Sequence, residues 1–208
     1  GTRARRCQMA GLGVRIMPGR ARFRSTPDGQ TRRVCRYVAE TVVPWVDSRY
    51  LTIATPRARG ILGASQGGYC AAALAVRHND IFGTSLVFSG YFHAGKVGPP
   101  STLPFGTDEG FIDAASPDVL ISRLSADARA KLYYIIVAQM GQGLYGEEAV
   151  RFDTLLNEAG LPHMVINSQV PHGWAQLRTE FAYAMEVWGA RMVSTGVFDA
   201  AGGESRPY

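Results

Sequence analysis

Short apolar runs alternate along the chain with stretches in which apolar residues recur every three or four positions. This alternation is typical of βα units, whose helices pack on a mostly parallel sheet. Runs that are continuous and rich in β-branched or aromatic residues predict buried strands. The strands predicted in this way are 12–17, 58–63, 84–88, 131–138 and 163–168.

The amphipathic stretches between these runs predict the helices, which are 31–47, 67–77, 147–159 and 174–192. In the first helix, apolar residues form one face that we expect to pack on the sheet: Val34, Val38, Val42 and Trp45. Residues 93–116 are rich in glycine and proline and interrupt the alternation, which predicts a loop that shapes a pocket. Residues 200–208 are predicted to be a loose tail.

The size of the chain limits how many domains it contains. With 208 residues, 46% of them hydrophobic, it can build one well-packed core but hardly two, so we predict a single domain over 1–208. No stretch approaches the roughly 18–20 apolar residues of a membrane span, and the first residues lack the layout of a secretory signal. We expect a soluble chain, from which an upstream signal or anchor could have been removed.

Positive charge is concentrated at the beginning of the chain. The net charge is +5, and the first 36 residues hold ten arginines and a single acid, Asp28. The basic N-terminal segment, residues 1–10, could contact anionic lipid, although a solvated surface is the simpler interpretation. No basic stripe with interleaved aromatic residues is present, so we expect no nucleic-acid partner.

The three cysteines lack the spacing of a metal site. Cys70 lies in an apolar helical stretch and is most simply a core residue. A disulfide between Cys7 and Cys35 would indicate an exported protein, whereas reduced thiols would fit a cytosolic one. The compartment stays open, with a secreted or cell-envelope location slightly favoured.

Residues 63–67 read Gly-Ala-Ser-Gln-Gly and supply a candidate nucleophile, Ser65. They fit the G-x-S-x-G pattern and lie between a predicted strand and a predicted helix, as a nucleophile elbow requires. Glycines beside the serine permit a tight turn that exposes its hydroxyl at the carboxyl edge of the sheet. The helix start aims unpaired N–H groups at this point, so the Gln66 N–H could donate to an acyl oxyanion. A plain turn is the alternative.

A serine hydroxyl needs a base within hydrogen-bond reach. In enzymes with this elbow the histidine follows the last strand, and His172 lies there, between strand 163–168 and the final helix. The other histidines have structural interpretations: His78 as a helix C-cap, His93 in the pocket loop and His163 at a strand start. We predict His172 as the base.

The acid of a triad is expected after strand 131–138, where a carboxylate can orient the imidazole. Residues 139–146 contain no acid. The nearest carboxylates are Glu147 and Glu148, at the predicted helix start, where the helix dipole favours acids in any case. One of these two could be the triad acid, and an acid-less dyad is the alternative.

Four segments carry a resemblance to a known family. Residues 40–46, 63–69, 77–83 and 88–92 read ETVVPWV, GASQGGY, RHNDIFG and FSGYF. In this order they resemble the putative-esterase family, which includes esterase D, feruloyl esterase domains and the mycobacterial mycolyltransferases. The likeness extends over roughly 12–192.

The resemblance implies an α/β-hydrolase fold, a mostly parallel sheet flanked by helices, with Ser65 as nucleophile and His172 as base. It also implies hydrolysis or transfer of an acyl group without a metal or cofactor, acting on a small-molecule ester or acyl substrate. Several aromatic residues could form a substrate-binding rim, although each is equally well explained as core: Tyr91, Phe92, Phe105, Tyr145 and Trp174.

The sequence departs from the family pattern in two ways. Members commonly have an acid near the position of Gln142, and a glutamine cannot stabilise an imidazolium as a carboxylate does. Members also have strands before the one that resembles 12–17, and a loop after one of these supplies the second oxyanion N–H. We expect these N-terminal strands to be absent from this chain and to come from an upstream segment, a second chain or a symmetry mate.

Taken together, these features predict a serine esterase or acyltransferase that works through an acyl-enzyme on Ser65. The alternative is a catalytically weakened or inactive homologue that serves as a binding or interaction module.

Overall fold

The computed structural model describes residues 37–95 and 107–198. Several predictions concern residues outside these ranges: strand 12–17, the basic segment 1–10, the pairing of Cys7 with Cys35, and the tail 200–208.

Four parallel strands form one sheet. They are β1 (Gly60–Ala64), β2 (Thr84–Phe88), β3 (Tyr133–Ala138) and β4 (His163–Asn167), and they lie side by side in chain order. The prediction of strand 84–88 is confirmed to the residue. The predicted strand 58–63 starts two residues before β1 does, because Pro56–Ala58 forms a 3-10 turn ahead of the strand.

The helices in chain order are α1 (Val43–Arg49), α2 (Gln66–Arg77), α3 (Glu109–Ala115), α4 (Pro117–Ser122), α5 (Ala126–Lys131), α6 (Gly143–Glu158) and α7 (Trp174–Ser194). A π-helical turn, Val38–Val42, leads into α1. No helix in the described ranges is both long and apolar enough to cross a membrane.

Helices cover both faces of the sheet. On one face, Val87 and Ile136 pack with residues of α2 and α6, among them Ala72 and Phe152. On the other face, the alternate strand residues pack with α7: Leu86, Phe88, Ile135 and Val137 meet Ala184 and Trp188. Side chains of a strand point alternately to opposite faces, so the apolar runs of β2 and β3 supply both cores at once.

The structure corrects two predictions, one about a helix face and one about the loop 93–116. Trp45 is half exposed instead of facing the sheet. Val38 does pack against Leu74 and Phe82 as a member of the predicted face, but it does so together with Val43, which the prediction left out. The π-helical turn puts more residues into each turn than an α-helix has, which rotates the face that a regular period predicts. Residues 93–116 are not all loop, because Asp108 caps helix α3 by accepting a hydrogen bond from the Phe111 N–H at 2.8 Å.

Helix α6 begins at Gly143, four residues before the predicted start. Its first turn lies close against the end of β3: a Cβ on Gly146 would lie only 1.9 Å from the carbonyl oxygen of Gln139. The Gly141 N–H donates to the Gly146 carbonyl at 3.1 Å and closes this turn. The absence of a side chain at position 146 is therefore what lets α6 start here.

We expect Gly146→Ala to lower the free energy of unfolding by about 1–3 kcal/mol, because the clash is with backbone and no side chain can move to relieve it. The matched control is Gly189→Ala in α7, where nothing lies within 4 Å of the added Cβ. That change should be neutral or raise stability by up to about 1 kcal/mol. Urea denaturation of both variants measures the difference, and equal effects would contradict the close contact.

Candidate active site

Ser65 stands in a sharp turn between β1 and α2. Its backbone has φ 55° and ψ −121°, a region that residues other than glycine rarely adopt. The Ser65 N–H donates to the Phe88 carbonyl of β2 at 2.9 Å, which ties the turn to the sheet. A strained residue held by its surroundings is typical of a nucleophile elbow.

The glycines around Ser65 do not all serve the same purpose. A Cβ on Gly63 would lie 2.0 Å from the carbonyl oxygen of Gly67, whereas a Cβ on Gly67 itself would meet nothing within 4 Å. A Cβ on Gly68, the next residue, would lie 3.0 Å from the Cα of Gly90. The tight positions are thus 63 and 68, and the expectation that Gly67 has no room for a side chain is wrong.

Gln66 is the first residue of α2, and the first N–H groups of a helix have no acceptor within the helix. Its side-chain oxygen accepts a hydrogen bond from the Tyr91 hydroxyl. Tyr91 is buried and stacks on Tyr69, with ring centroids 4.8 Å apart. Burial raises the pKa of Tyr91, so its phenol remains a donor and holds the side chain of Gln66 in place.

His172 lies in the loop between β4 and α7 and is exposed. The loop is braced through its neighbour Val170, whose carbonyl accepts from Ser168 Oγ at 3.0 Å and from Gln176 Nε2 at 3.1 Å. The buried Gln176 in turn accepts from Ser89 Oγ at 2.6 Å, at the end of β2. A chain of hydrogen bonds therefore connects the histidine loop to the sheet, and Ser89 and Gln176 are members that the sequence did not reveal.

Tyr145, in the first turn of α6, contacts both predicted catalytic residues. Its hydroxyl lies 3.4 Å from Ser65 Oγ. Its ring stacks on the imidazole of His172, with centroids 4.3 Å apart and planes 10° from parallel. No direct hydrogen bond between Ser65 and His172 is present among the described residues, and Tyr145 is the side chain they share.

A cleft of ≈340 Å³ opens beside these residues, with His172, Tyr145, Gln142 and Ser89 in its walls. A second cleft, of ≈390 Å³, lies between α1 and the residues around Arg59. His172 and Tyr145 line the first cleft and not the second, and the Tyr145 hydroxyl lies 3.4 Å from Ser65 Oγ, so we place the candidate site at the first. No group of three or more His, Cys, Asp or Glu residues that could hold a metal occurs in the described part of the chain.

The two acids nominated as triad members do not contact His172. Glu148 is buried, and its carboxylate binds Arg151 Nη2 at 2.7 Å and accepts from the Phe92 N–H at 3.3 Å. Glu147 is exposed on α6. Both lie in the second turn of the helix, so the expectation that they stand at its start is wrong. Gln142 is the N-cap of α6 and lines the cleft together with His172.

The remaining predicted site residues fall in different environments. Phe92 is fully buried and stacks on Phe152, with ring centroids 3.7 Å apart, and Tyr91 is equally buried. The burial of Tyr91 and Phe92 argues against a substrate-binding rim made of their rings. Trp174 is 78% exposed at the start of α7, close in sequence to His172. Phe105 lies outside the described residues.

The other histidines have the structural roles expected of them. His78 is the C-cap of α2, and His163 begins β4 and lies 2.8 Å from Asp153. His93 pairs with the buried Asp118 at 3.1 Å, and Asp118 also binds Arg151.

A parallel sheet between two layers of helices, with a strained serine in the turn that follows a strand, defines an α/β-hydrolase. A sequence model of the family described as "Putative esterase" matches residues 14–155, and the chain belongs to that family. No curated protein matches the chain by sequence.

Solved structures with the same fold include a ferulic acid esterase (TM-score 0.61, 16% identity, 75% of this chain and 60% of that one). An S-formylglutathione hydrolase from Agrobacterium tumefaciens has a TM-score of 0.56 at 16% identity, over 75% of this chain and 56% of that one. The capsule O-acetyltransferase of Neisseria meningitidis serogroup A has a TM-score of 0.56 at 13% identity, over 72% and 62% of the two chains. The matches thus span 56–62% of the length of these three proteins.

The contacts of Glu148 predict a structural role. Glu148→Gln should lower the free energy of unfolding by about 1–3 kcal/mol. We expect a value towards the lower end because Arg151 is partly exposed to water. The same change should alter kcat little. Glu147→Gln, on the exposed side of the helix, is the control and should change neither. A loss of kcat by about 10³-fold or more in Glu148→Gln at unchanged stability would instead make Glu148 the triad acid.

Proposed function

We propose that this protein is a serine-dependent carboxylic-ester hydrolase or acyltransferase that forms an acyl-enzyme on Ser65. The observation that carries the proposal is the backbone of Ser65, which stands at φ 55° directly before the first turn of α2. This arrangement presents the hydroxyl beside helix N–H groups that have no acceptor within the helix. Membership of the esterase family agrees with it.

The reaction would follow a double displacement. Ser65 Oγ attacks the acyl carbon while His172 takes its proton, and the Gln66 N–H donates to the oxyanion together with a second donor not yet identified. His172 then returns the proton to the leaving alcohol or thiol. Water releases the acyl group in a hydrolase, and a bound alcohol accepts it in a transferase.

The size of the cleft that His172 and Tyr145 line favours a small acyl compound as substrate. The cleft of ≈340 Å³ lies at the lower end of the roughly 300–1,000 Å³ common for small-molecule sites. The names of the structural neighbours refer to ferulic acid esters, S-formylglutathione and O-acetyl transfer. A small acyl or aryl-acyl ester is consistent with each of them.

A second candidate function is a binding module with little or no turnover. It is favoured by the neutral Gln142 in the cleft wall and by the absence, among the described residues, of a carboxylate in contact with His172. In that case the cleft would bind an ester or acyl ligand without cleaving it.

A fluorophosphonate probe followed by peptide mapping tests the proposal, because the probe reacts with an activated serine hydroxyl. We expect labelling of Ser65, loss of labelling in Ser65→Ala, and loss of p-nitrophenyl acetate turnover in the same variant. Ser122→Ala is the control, because Ser122 is exposed at the end of α4, donates its hydroxyl to the Val119 carbonyl at 2.7 Å and lies outside the cleft walls.

Labelling should persist in Ser122→Ala. A folded protein that is not labelled, and whose weak ester turnover survives in Ser65→Ala, would support the binding module instead.

A further inference from the structure

The imidazole of His172 stacks on the ring of Tyr145. The two rings lie almost parallel with centroids 4.3 Å apart, so the tyrosine covers one face of the imidazole. In a serine hydrolase this is the ring that must hold a fixed orientation and carry a positive charge in the transition state. The Tyr145 ring therefore contacts the group whose orientation and charge a triad carboxylate would otherwise stabilise.

Tyr145 is itself held firmly. The close approach of Gly146 to the Gln139 carbonyl fixes the first turn of α6 against β3. On its inner side Tyr145 packs against the buried cluster that contains Tyr69 and Tyr91. The ring is thus a rigid platform and not a loose surface side chain.

Because Gln142 beside His172 is uncharged, the stacked ring of Tyr145 becomes important for the charge of the imidazole. Gln142, in the same cleft, cannot offset the charge of an imidazolium, and Glu148 is already engaged by Arg151. The face of an aromatic ring carries negative charge density and attracts a cation that lies over it within about 6 Å. A parallel Tyr145 ring can therefore stabilise the imidazolium once the proton of Ser65 Oγ has moved to His172.

We propose that Tyr145 is the positioning residue for His172: its ring fixes the plane of the imidazole and stabilises the imidazolium where other members of the fold use a carboxylate. The inference rests on the proposed function of Ser65 and His172. No proton passes through Tyr145, because the Ser65 proton goes to His172 and then to the leaving group. The ring is required, and the hydroxyl, 3.4 Å from Ser65 Oγ, is secondary.

Two substitutions separate the ring from the hydroxyl. Tyr145→Leu removes the aromatic face but keeps an apolar side chain against the inner cluster, and kcat should fall roughly 3- to 30-fold with little change in KM. Tyr145→Phe keeps the face, and its loss in kcat should be clearly smaller. Equal losses in the two variants would assign the effect to the hydroxyl and overturn the proposal.

A rescue experiment distinguishes positioning from simple packing. If Tyr145 compensates for a missing carboxylate, Gln142→Asp should raise kcat more in the Tyr145→Leu background than in the wild type, a non-additive result in a double-mutant cycle. Gln142 is the N-cap of α6, and Asp is a good cap, so Gln142→Asn serves as the control: it caps equally well without charge. Equal rescue by Asp and Asn, or none by Asp, would make the role of Tyr145 structural.

Proton NMR of the imidazole tests the contact without reference to turnover. Stacking should move the His172 ring protons upfield in the wild type and in Tyr145→Phe, and Tyr145→Leu should abolish this shift; the signals are assigned with His172→Ala. If fluorophosphonate labels wild type and Tyr145→Leu at equal rates, the positioning role fails while the proposed function stands. If it labels neither and no ester is turned over, the proposed function fails as well, and the upfield shift then reports a contact without a catalytic role.

Discussion

The geometry of the site depends on the close approach of two backbone segments where β1 turns into α2. Position 63 must be glycine, because a Cβ there would lie 2.0 Å from the Gly67 carbonyl oxygen. The same turn holds Ser65 in a conformation that costs about 1–3 kcal/mol in an isolated chain. The buried sheet offsets this cost through the hydrogen bond from Ser65 to Phe88. Ser65, the proposed nucleophile, is therefore positioned by the core of the protein.

A second backbone contact of the same kind stands at the end of β3. There Gly146 approaches the Gln139 carbonyl so closely that no side chain would fit, and α6 starts against the edge of the sheet. In a parallel sheet all carboxyl ends meet at one edge, so this start brings Tyr145 to the turn that carries Ser65. Ser89, at the end of the strand between them, anchors the histidine loop through Gln176. The ends of four adjacent strands, β1 to β4, thus contribute to one site.

The sequence predicted the strands and the sharp turn at Ser65 because those depend on local patterns. The apolar runs of β2 and β3 and the motif around Ser65 are readable without knowledge of tertiary contacts. The start of α6 was not, because its glycine-rich first turn has low helix propensity and forms only through the contact of Gly146 with β3. The role of Glu148 could not be predicted either. Its partner Arg151 lies on the same helix, but Arg151 also binds Asp118, which is distant in the sequence.

This network of Arg151 with two acids also explains why neither Asp118 nor Glu148 serves His172. Asp118 and Glu148 are buried, and each is paired with Arg151; turning either towards the cleft would leave an uncompensated charge in the core. The one wall position where a carboxylate would cost little is Gln142, because a negative charge at a helix N-terminus is favoured by the helix dipole. With an amide there, the electrostatic support of the base comes from an aromatic face, which is weaker than a carboxylate. The fold thus fixes the position of the proposed nucleophile, Ser65, whereas in our proposal the strength of the base, His172, depends on a single stacked ring.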